Sequence, residues 1–273
     1  FRRSRGLGDV YKRQTLFKSR TFVAIIHAGV AWGFSFYLIV NIVDVLYGMV
    51  PDFHFLPNHF VGHAYRLFVD IFTMLVLFGV LYFLARRFLF KNEKLNINEP
   101  VLISERAKKG IRLDSILVGT FIILHVGFRF VGASAEIALN GNDWFQPGAT
   151  ILATIWSGLD QDSLIFLEHL SWWISLGLIL AFFPYFPYSK HAHLFMGPLN
   201  YMASVDRRSP ATLEIMDLED ENTEQFGAGK IEHLPQKEIL DAYACIMCNR
   251  CQDVCPAYQL SLIHISEPTR PPE

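Results

Sequence analysis

Leu113–Leu139 reads LDSILVGTFIILHVGFRFVGASAEIAL, an apolar run longer than the about 20 helical residues that cross a bilayer. Comparable runs lie at Thr21–Leu46, Arg66–Phe90 and Ser163–Pro184. Helices this long and apolar around the whole circumference suit lipid rather than a water-soluble all-α core, the alternative they compete with. The chain has 273 residues, 52% of them hydrophobic, and the apolar residues are concentrated before about residue 188. These runs predict an all-α fold with a four-helix transmembrane bundle over residues 15–195. Gly148–Ser157 (GATILATIWS) is apolar but too short to span, and is expected as a short surface helix.

The loops give the orientation. Arg86 and Arg87 close the second run, and Lys91, Lys94, Arg106, Lys108, Lys109 and Arg112 lie between it and the third. The loops Tyr47–Tyr65 and Asn140–Asp162 contain no Lys or Arg. By the positive-inside rule the basic loop is cytoplasmic, and so are both chain ends of a multi-pass protein of the cell (cytoplasmic) membrane. Lys18 and Arg20 before the first run agree, as do Lys190, Arg207 and Arg208 after the fourth.

Ionisable residues inside hydrocarbon are costly, so each is a candidate site. His27, His125 and His169 fall within the first, third and fourth runs. His63 precedes the second run, and His191 and His193 follow the fourth. A single such histidine is as readily a hydrogen-bonded structural residue as a ligand. Several on separate helices favour bis-histidine ligation of one or two b-type haems, since bundles hold cofactors between facing helices. Counting 1.5 Å per residue, His27 lies roughly 9 Å from the inner edge, His125 roughly 18 Å and His169 roughly 22 Å. That pairs His27 with His193 at the inner side and His125 with His169 at the outer, with His191 and His63 as alternates. Arg129 is one turn beyond His125 on the same helix face. With Asp70 and Glu168 it forms either a buried ion-pair network or a functional set. In the second case Arg129 meets a haem propionate and a carboxylate takes protons from a quinol. Gly29 and Gly33 form a small-x₃-small pattern of the close-packing kind.

All four cysteines lie in Cys245-Ile-Met-Cys248-Asn-Arg-Cys251-Gln-Asp-Val-Cys255-Pro256. The spacing C-x₂-C-x₂-C-x₃-C-P is that of thiolate ligation to iron–sulfur clusters. Two disulfides within so short a stretch would be badly strained. Zinc ligand pairs are usually separated by a longer loop. Leu234–Ala244 before the run reads as a short helix with Pro235 at its start. The acidic stretch Glu214–Glu224 belongs to a solvated linker over residues 196–229. A net charge of −2 gives no case for nucleic-acid binding, and no Gly-rich loop argues for a nucleotide.

From the Tyr188-Ser189-Lys190-His191-Ala192-His193 pattern, the membrane part resembles cytochrome b subunits related to the nitrate reductase gamma subunit and the membrane subunit of heterodisulfide reductase. Residues 226–257, with GKIEHLPQKEILDAYACIMCNRCQDVCPA, resemble the α-helical ferredoxin segment of heterodisulfide reductase-like iron–sulfur proteins. The resemblance implies an oxidoreductase that uses membrane lipid-borne quinone, b-type haem, 4Fe–4S clusters and a soluble redox partner on the cytoplasmic side. It also implies a cytoplasmic α-helical ferredoxin domain, of which residues 230–260 are the first half. Such proteins carry a second cysteine run, which this chain lacks, so Cys255 is expected to serve a second cluster while Cys245, Cys248 and Cys251 serve the first. A haem-free membrane anchor or redox sensor is the competing class. Phe1–Gln14 and Ser261–Glu273 read as translated sequencing-adapter strings, making Thr15–Leu260 the expected natural segment and the chain a truncated one.

Overall fold

The computed structural model describes residues 20–51, 53, 55, 59–90, 95, 104–203, 229–246 and 248. Cys251, Cys255, both terminal strings and residues 204–228 of the 196–229 linker lie outside them. Every regular element among the described residues is helical. The seven α-helices are α1 (Thr21–Met49), α2 (Phe60–Leu84), α3 (Glu105–Asn140), α4 (Pro147–Ala153), α5 (Gln161–Tyr185), α6 (His193–Met202) and α7 (Gln236–Ala244). The chain divides into two compact units, Phe1–Ala85 with Arg112–His191, and Arg86–Ile111 with Ala192–Glu273.

In the first unit, α1, α2, α3 and α5 are each long and apolar enough to cross a membrane. Only between 17% and 33% of each one's most apolar stretch is buried. Water-soluble helices with that composition would hide far more, so lipid is the solvent these surfaces fit. Trp32, Phe78, Phe166 and Phe183 all stand exposed on the outside.

Side-chain contacts fix the directions. Phe22 meets Tyr82 and Phe36 meets Tyr65, so α1 and α2 run antiparallel. Phe121 meets Phe182 and His125 meets Ser175, so α3 and α5 do too. Tyr37 against His125 and Asp44 against Arg129 make α1 and α3 parallel. The α1–α2 contact is tight because glycines sit at it. A Cβ on Gly33 would run 2.5 Å from Val76 Cγ2, and one on Gly79 would collide with Val30. Of the small-x₃-small pair, Gly33 is therefore a packing residue, whereas a Cβ on Gly29 would meet nothing. The core around this contact holds Tyr37, Val40, Val69, Val76, Val80 and Val126.

The element ends differ from the hydropathy boundaries. α2 begins at Phe60, six residues before the expected Arg66, because the Arg66 side chain reaches Asp143 and needs no water to satisfy it. α3 begins at Glu105, since its first turns are polar yet helical, with Ser104 Oγ accepting the Ala107 N–H. It ends where Gly141 takes φ +99°, a left-handed conformation suited to a helix stop, its N–H donating to Ile137 O. α5 starts on Asp160, whose carboxylate accepts the Ser163 N–H, and carries Pro184 in its last turn before a 3₁₀ turn at Phe186–Tyr188. The short helix expected over Gly148–Ser157 is α4 with the 3₁₀ turn Thr154–Trp156.

In the second unit, α6 packs on α7, and Asn200 Nδ2 donates to Asp241 Oδ1 at 2.6 Å. Lys237 and Asn200 together hold the Asp241 carboxyl below its usual range. Pro235 caps α7 at its start, as its fixed φ allows, and Cys245 is the residue at its C-terminal end.

Candidate functional site

A polar seam runs through the interior of the first unit. Arg129 on α3 donates to Asp44 on α1 with Nε at 2.6 Å and Nη2 at 3.0 Å, a two-pronged ion pair. The guanidinium also lies over the Tyr37 ring, 5.9 Å from its centre. Trp172 on α5 donates its indole N–H to the Asp44 carbonyl at 3.2 Å. Tyr37 hydrogen bonds to Thr73 on α2; Thr73 already donates to Val69 O, so the tyrosine is the donor here.

His125 lies one turn from Arg129 in this seam. Its Nδ1 is 3.1 Å from Ser175 O and 2.9 Å from Ser175 Oγ. A carbonyl accepts only, so Nδ1 carries the proton and Nε2 keeps its lone pair. Nε2 is buried with no hydrogen-bond partner among the described residues. A ring oriented through Nδ1–H to a backbone carbonyl, with a bare Nε2, is the arrangement a metal-ligating histidine needs. His125 thus has the donor chemistry of a ligating histidine.

The other candidate histidines are dispersed. His169 is exposed on α5, with Nδ1 donating to Ile165 O at 2.7 Å. It precedes Ser175 by six residues, about 9 Å along the axis and about 120° round it, so His125 and His169 are not brought together. His191 is buried against Phe34, Phe182 and Phe186. His27 is beside Phe83, and seven residues from Phe34 place it about 10 Å further along α1. His193 opens α6 in the second unit. His63 stacks on Phe145, ring centres 4.2 Å apart, and its Nδ1 contacts Arg66 at 2.8 Å. Among the described residues no three His, Cys, Asp or Glu side chains converge as a metal site.

The expected acidic residues part company. Asp70, 2% exposed, accepts the backbone N–H groups of Gly148 at 2.7 Å and Ala149 at 2.9 Å, and so caps α4. Glu168 instead lines a cleft of about 560 Å³ at the ends of α1, α3 and α5 away from the basic loop. Tyr47, Glu136, Asn140 and Gln161 share that cleft. Asp44, Glu136, Tyr47 and Ser175 were not singled out in the sequence. For the two acids the signal was present, because both are carboxylates inside expected spans.

Outside the spans, Arg66 Nε donates to Asp143 Oδ2 at 2.8 Å, joined by the Phe145 N–H and the Gln146 amide. Burial pushes the Asp143 carboxyl up, but these three donors outweigh it and hold it below its ordinary 3.8. In the second unit the thiol of Cys245 is exposed and that of Cys248 partly buried.

Fold and site together define a multi-span helical bundle with a buried histidine and polar seam, followed by a small helical segment that ends in cysteines. Over 252 residues the chain is 32% identical to the probable iron-sulfur-binding oxidoreductase FadF of Bacillus subtilis (strain 168), covering 91% of this chain and 33% of that protein. Over 241 residues it is 27% identical to the EtfAB:quinone oxidoreductase of Syntrophomonas wolfei subsp. wolfei, covering 85% of this chain and 32% of that protein. The chain spans about a third of the length of these curated relatives. No family model matches it. No solved structure matches it.

Proposed function

We propose that this chain is the membrane part of an iron–sulfur oxidoreductase that exchanges electrons between membrane quinol or quinone and a soluble acceptor, such as a disulfide, on the cytoplasmic side. The observation that carries it is the buried bare Nε2 of His125 in a chain that also ends in a C-x₂-C-x₂-C-x₃-C-P run. Similarity to an iron-sulfur-binding oxidoreductase and to a quinone oxidoreductase supports the same class. A b-type haem on His125 would supply a one-electron carrier inside the bilayer, as a 4Fe–4S cluster on Cys245, Cys248 and Cys251 would at its inner face. Cys255 would serve a second cluster.

The chain's own residues have distinct tasks. Ser175 holds the His125 ring in the tautomer that frees Nε2. Arg129, held by Asp44, supplies a fixed positive charge one turn away that would favour a haem propionate. The cleft of Tyr47, Glu136 and Glu168 opens at the end of the bundle opposite the basic loop, where a quinol headgroup would enter. Oxidation of a quinol to a quinone releases two electrons and two protons. Glu136 and Glu168 are two carboxylates placed to take those protons, and Tyr47 can hydrogen bond the ring oxygen.

The test is a reduced-minus-oxidised spectrum of the protein purified from membranes. Haem b bands that are lost in His125→Ala and appear on adding a quinol are the expected result. Absence of such bands in the wild type overturns the cytochrome half. One observation favours the haem-free anchor or sensor instead: the Arg129 guanidinium is engaged in a two-pronged ion pair with Asp44.

A further inference from the structure

α6 carries an apolar stripe that nothing among the described residues covers. Phe195 is 56% exposed, Leu199 49% and Met202 70%, and Pro198 between them is exposed as well. Positions i, i+3, i+4 and i+7 of a helix form one continuous face. The opposite face is spoken for, because α7 packs on it and Asn200 bonds Asp241. Four exposed apolar side chains on so short a helix would be a cost in water.

The position of α6 in the chain says what covers them. The apolar fourth span runs to Tyr188, and α6 begins at His193. The link contains the 3₁₀ turn Lys190–Ala192, and at 2.0 Å rise per residue it reaches only about 10 Å. Chain connectivity alone therefore keeps the start of α6 within about that distance of the last residue of the span. Exposed apolar residues stand on both sides of the link, Leu180, Phe183 and Tyr188 before it and Phe195, Leu199 and Met202 after it, with Ser189, His191 and Ala192 buried between them. The nearby acidic stretch Glu214–Glu224 is too charged to be the cover for such a face.

We propose that α6 is an interfacial helix that lies in the bilayer surface with Phe195, Pro198, Leu199 and Met202 in the headgroup–acyl boundary. An amphipathic helix of this kind sinks its apolar face by about 5–10 Å. Its other face then has a purpose: it seats α7, at whose end Cys245 stands, so the lipid surface sets the height of the first cysteines. The inference rests on the membrane reading of the four long helices and goes beyond it, since nothing in that reading says where the segment after the fourth span lies.

The experiment places the photo-crosslinking residue p-benzoylphenylalanine at Phe195, Leu199 or Met202 in the full-length protein in phosphatidylcholine–phosphatidylglycerol nanodiscs. Lys237 on α7 and Phe78, 60% exposed on α2, serve as controls. Adducts are identified by mass spectrometry. Lipid adducts at the three α6 positions and at Phe78, with none at Lys237, are expected. Lipid adducts at Phe78 but protein adducts or none at α6 overturn the interfacial helix and leave the spans standing. No lipid adduct at Phe78 either would overturn the membrane reading itself and this inference with it. Phe78 and the three α6 residues are exposed, whereas Lys237 is half-buried and paired to Asp241, so the helical circular dichroism of each variant checks its folding.

Discussion

A guanidinium and a carboxylate facing each other inside a bundle of apolar helices are expensive to separate. Arg129 and Asp44 side chains are only 16% and 27% exposed. Removing one partner strands the other charge, a loss of about 3–5 kcal/mol, whereas removing both with apolar residues of similar volume is close to neutral. Arg129→Met and Asp44→Leu are therefore each expected to destabilise strongly, and the double variant to be more stable than either single one. Detergent-denaturation free energies arranged as a double-mutant cycle check this; additive losses would contradict it. Asp143, in the loop after α3, gives a second residue-scale prediction. Its folded carboxyl titrates below its ordinary 3.8, so the stability it contributes is present above that value. That stability is lost as pH falls through the lowered value. The melting temperature of Asp143→Asn should fall short of wild type at pH 6 and converge on it as pH drops below about 4.

At the scale of elements, close approach and capping decide which helices touch. Gly33 and Gly79 let α1 and α2 meet with Val76 and Val30 where side chains would otherwise stand. Gly79→Leu should cost about 1–3 kcal/mol through overpacking, measured against the exposed control Phe78→Leu. Asp70 holds the first turn of α4, so Asp70→Ala should cost about 1–3 kcal/mol, because two buried N–H groups lose their acceptor. Protease cleavage within residues 141–160 would report the released helix. The spans were legible in the sequence because lipid selects for long apolar runs, and the short α4 because its run was too short. Helix ends were not, since a charged residue such as Arg66 can continue a helix when a distant Asp143 receives it. The same physics hid the site. Asp44 and Arg129 are 85 residues apart, and Ser175 is 50 from His125, distances over which spacing carries no signal. His125 itself was visible as a lone base in hydrocarbon, while its pairing with His169 was drawn from depth alone, and the helix face disagrees.

At the scale of the whole molecule, the proposed function divides the work between the bundle and the cysteine segment, and the division can be tested because it is lopsided. Every cysteine of the chain lies after residue 244, so no thiol contributes to packing in the bundle. Loss of iron should therefore be silent for the spans and decisive for electron delivery. In the full-length protein, Cys248→Ser removes one of three thiolates assigned to the first cluster, and the coordination of the iron fails with it. The reduced protein is then expected to lose one iron–sulfur signal in electron paramagnetic resonance and to stop passing electrons from a quinol to a soluble acceptor. Quinol-dependent reduction in the bilayer and the melting temperature of the bundle should both persist, since His125, Ser175 and the Tyr47–Glu136–Glu168 cleft are untouched. Cys255→Ser should abolish a different signal from Cys248→Ser, because the last cysteine of such a run serves the other cluster. Identical spectra from the two variants would mean instead that all four thiolates hold a single cluster.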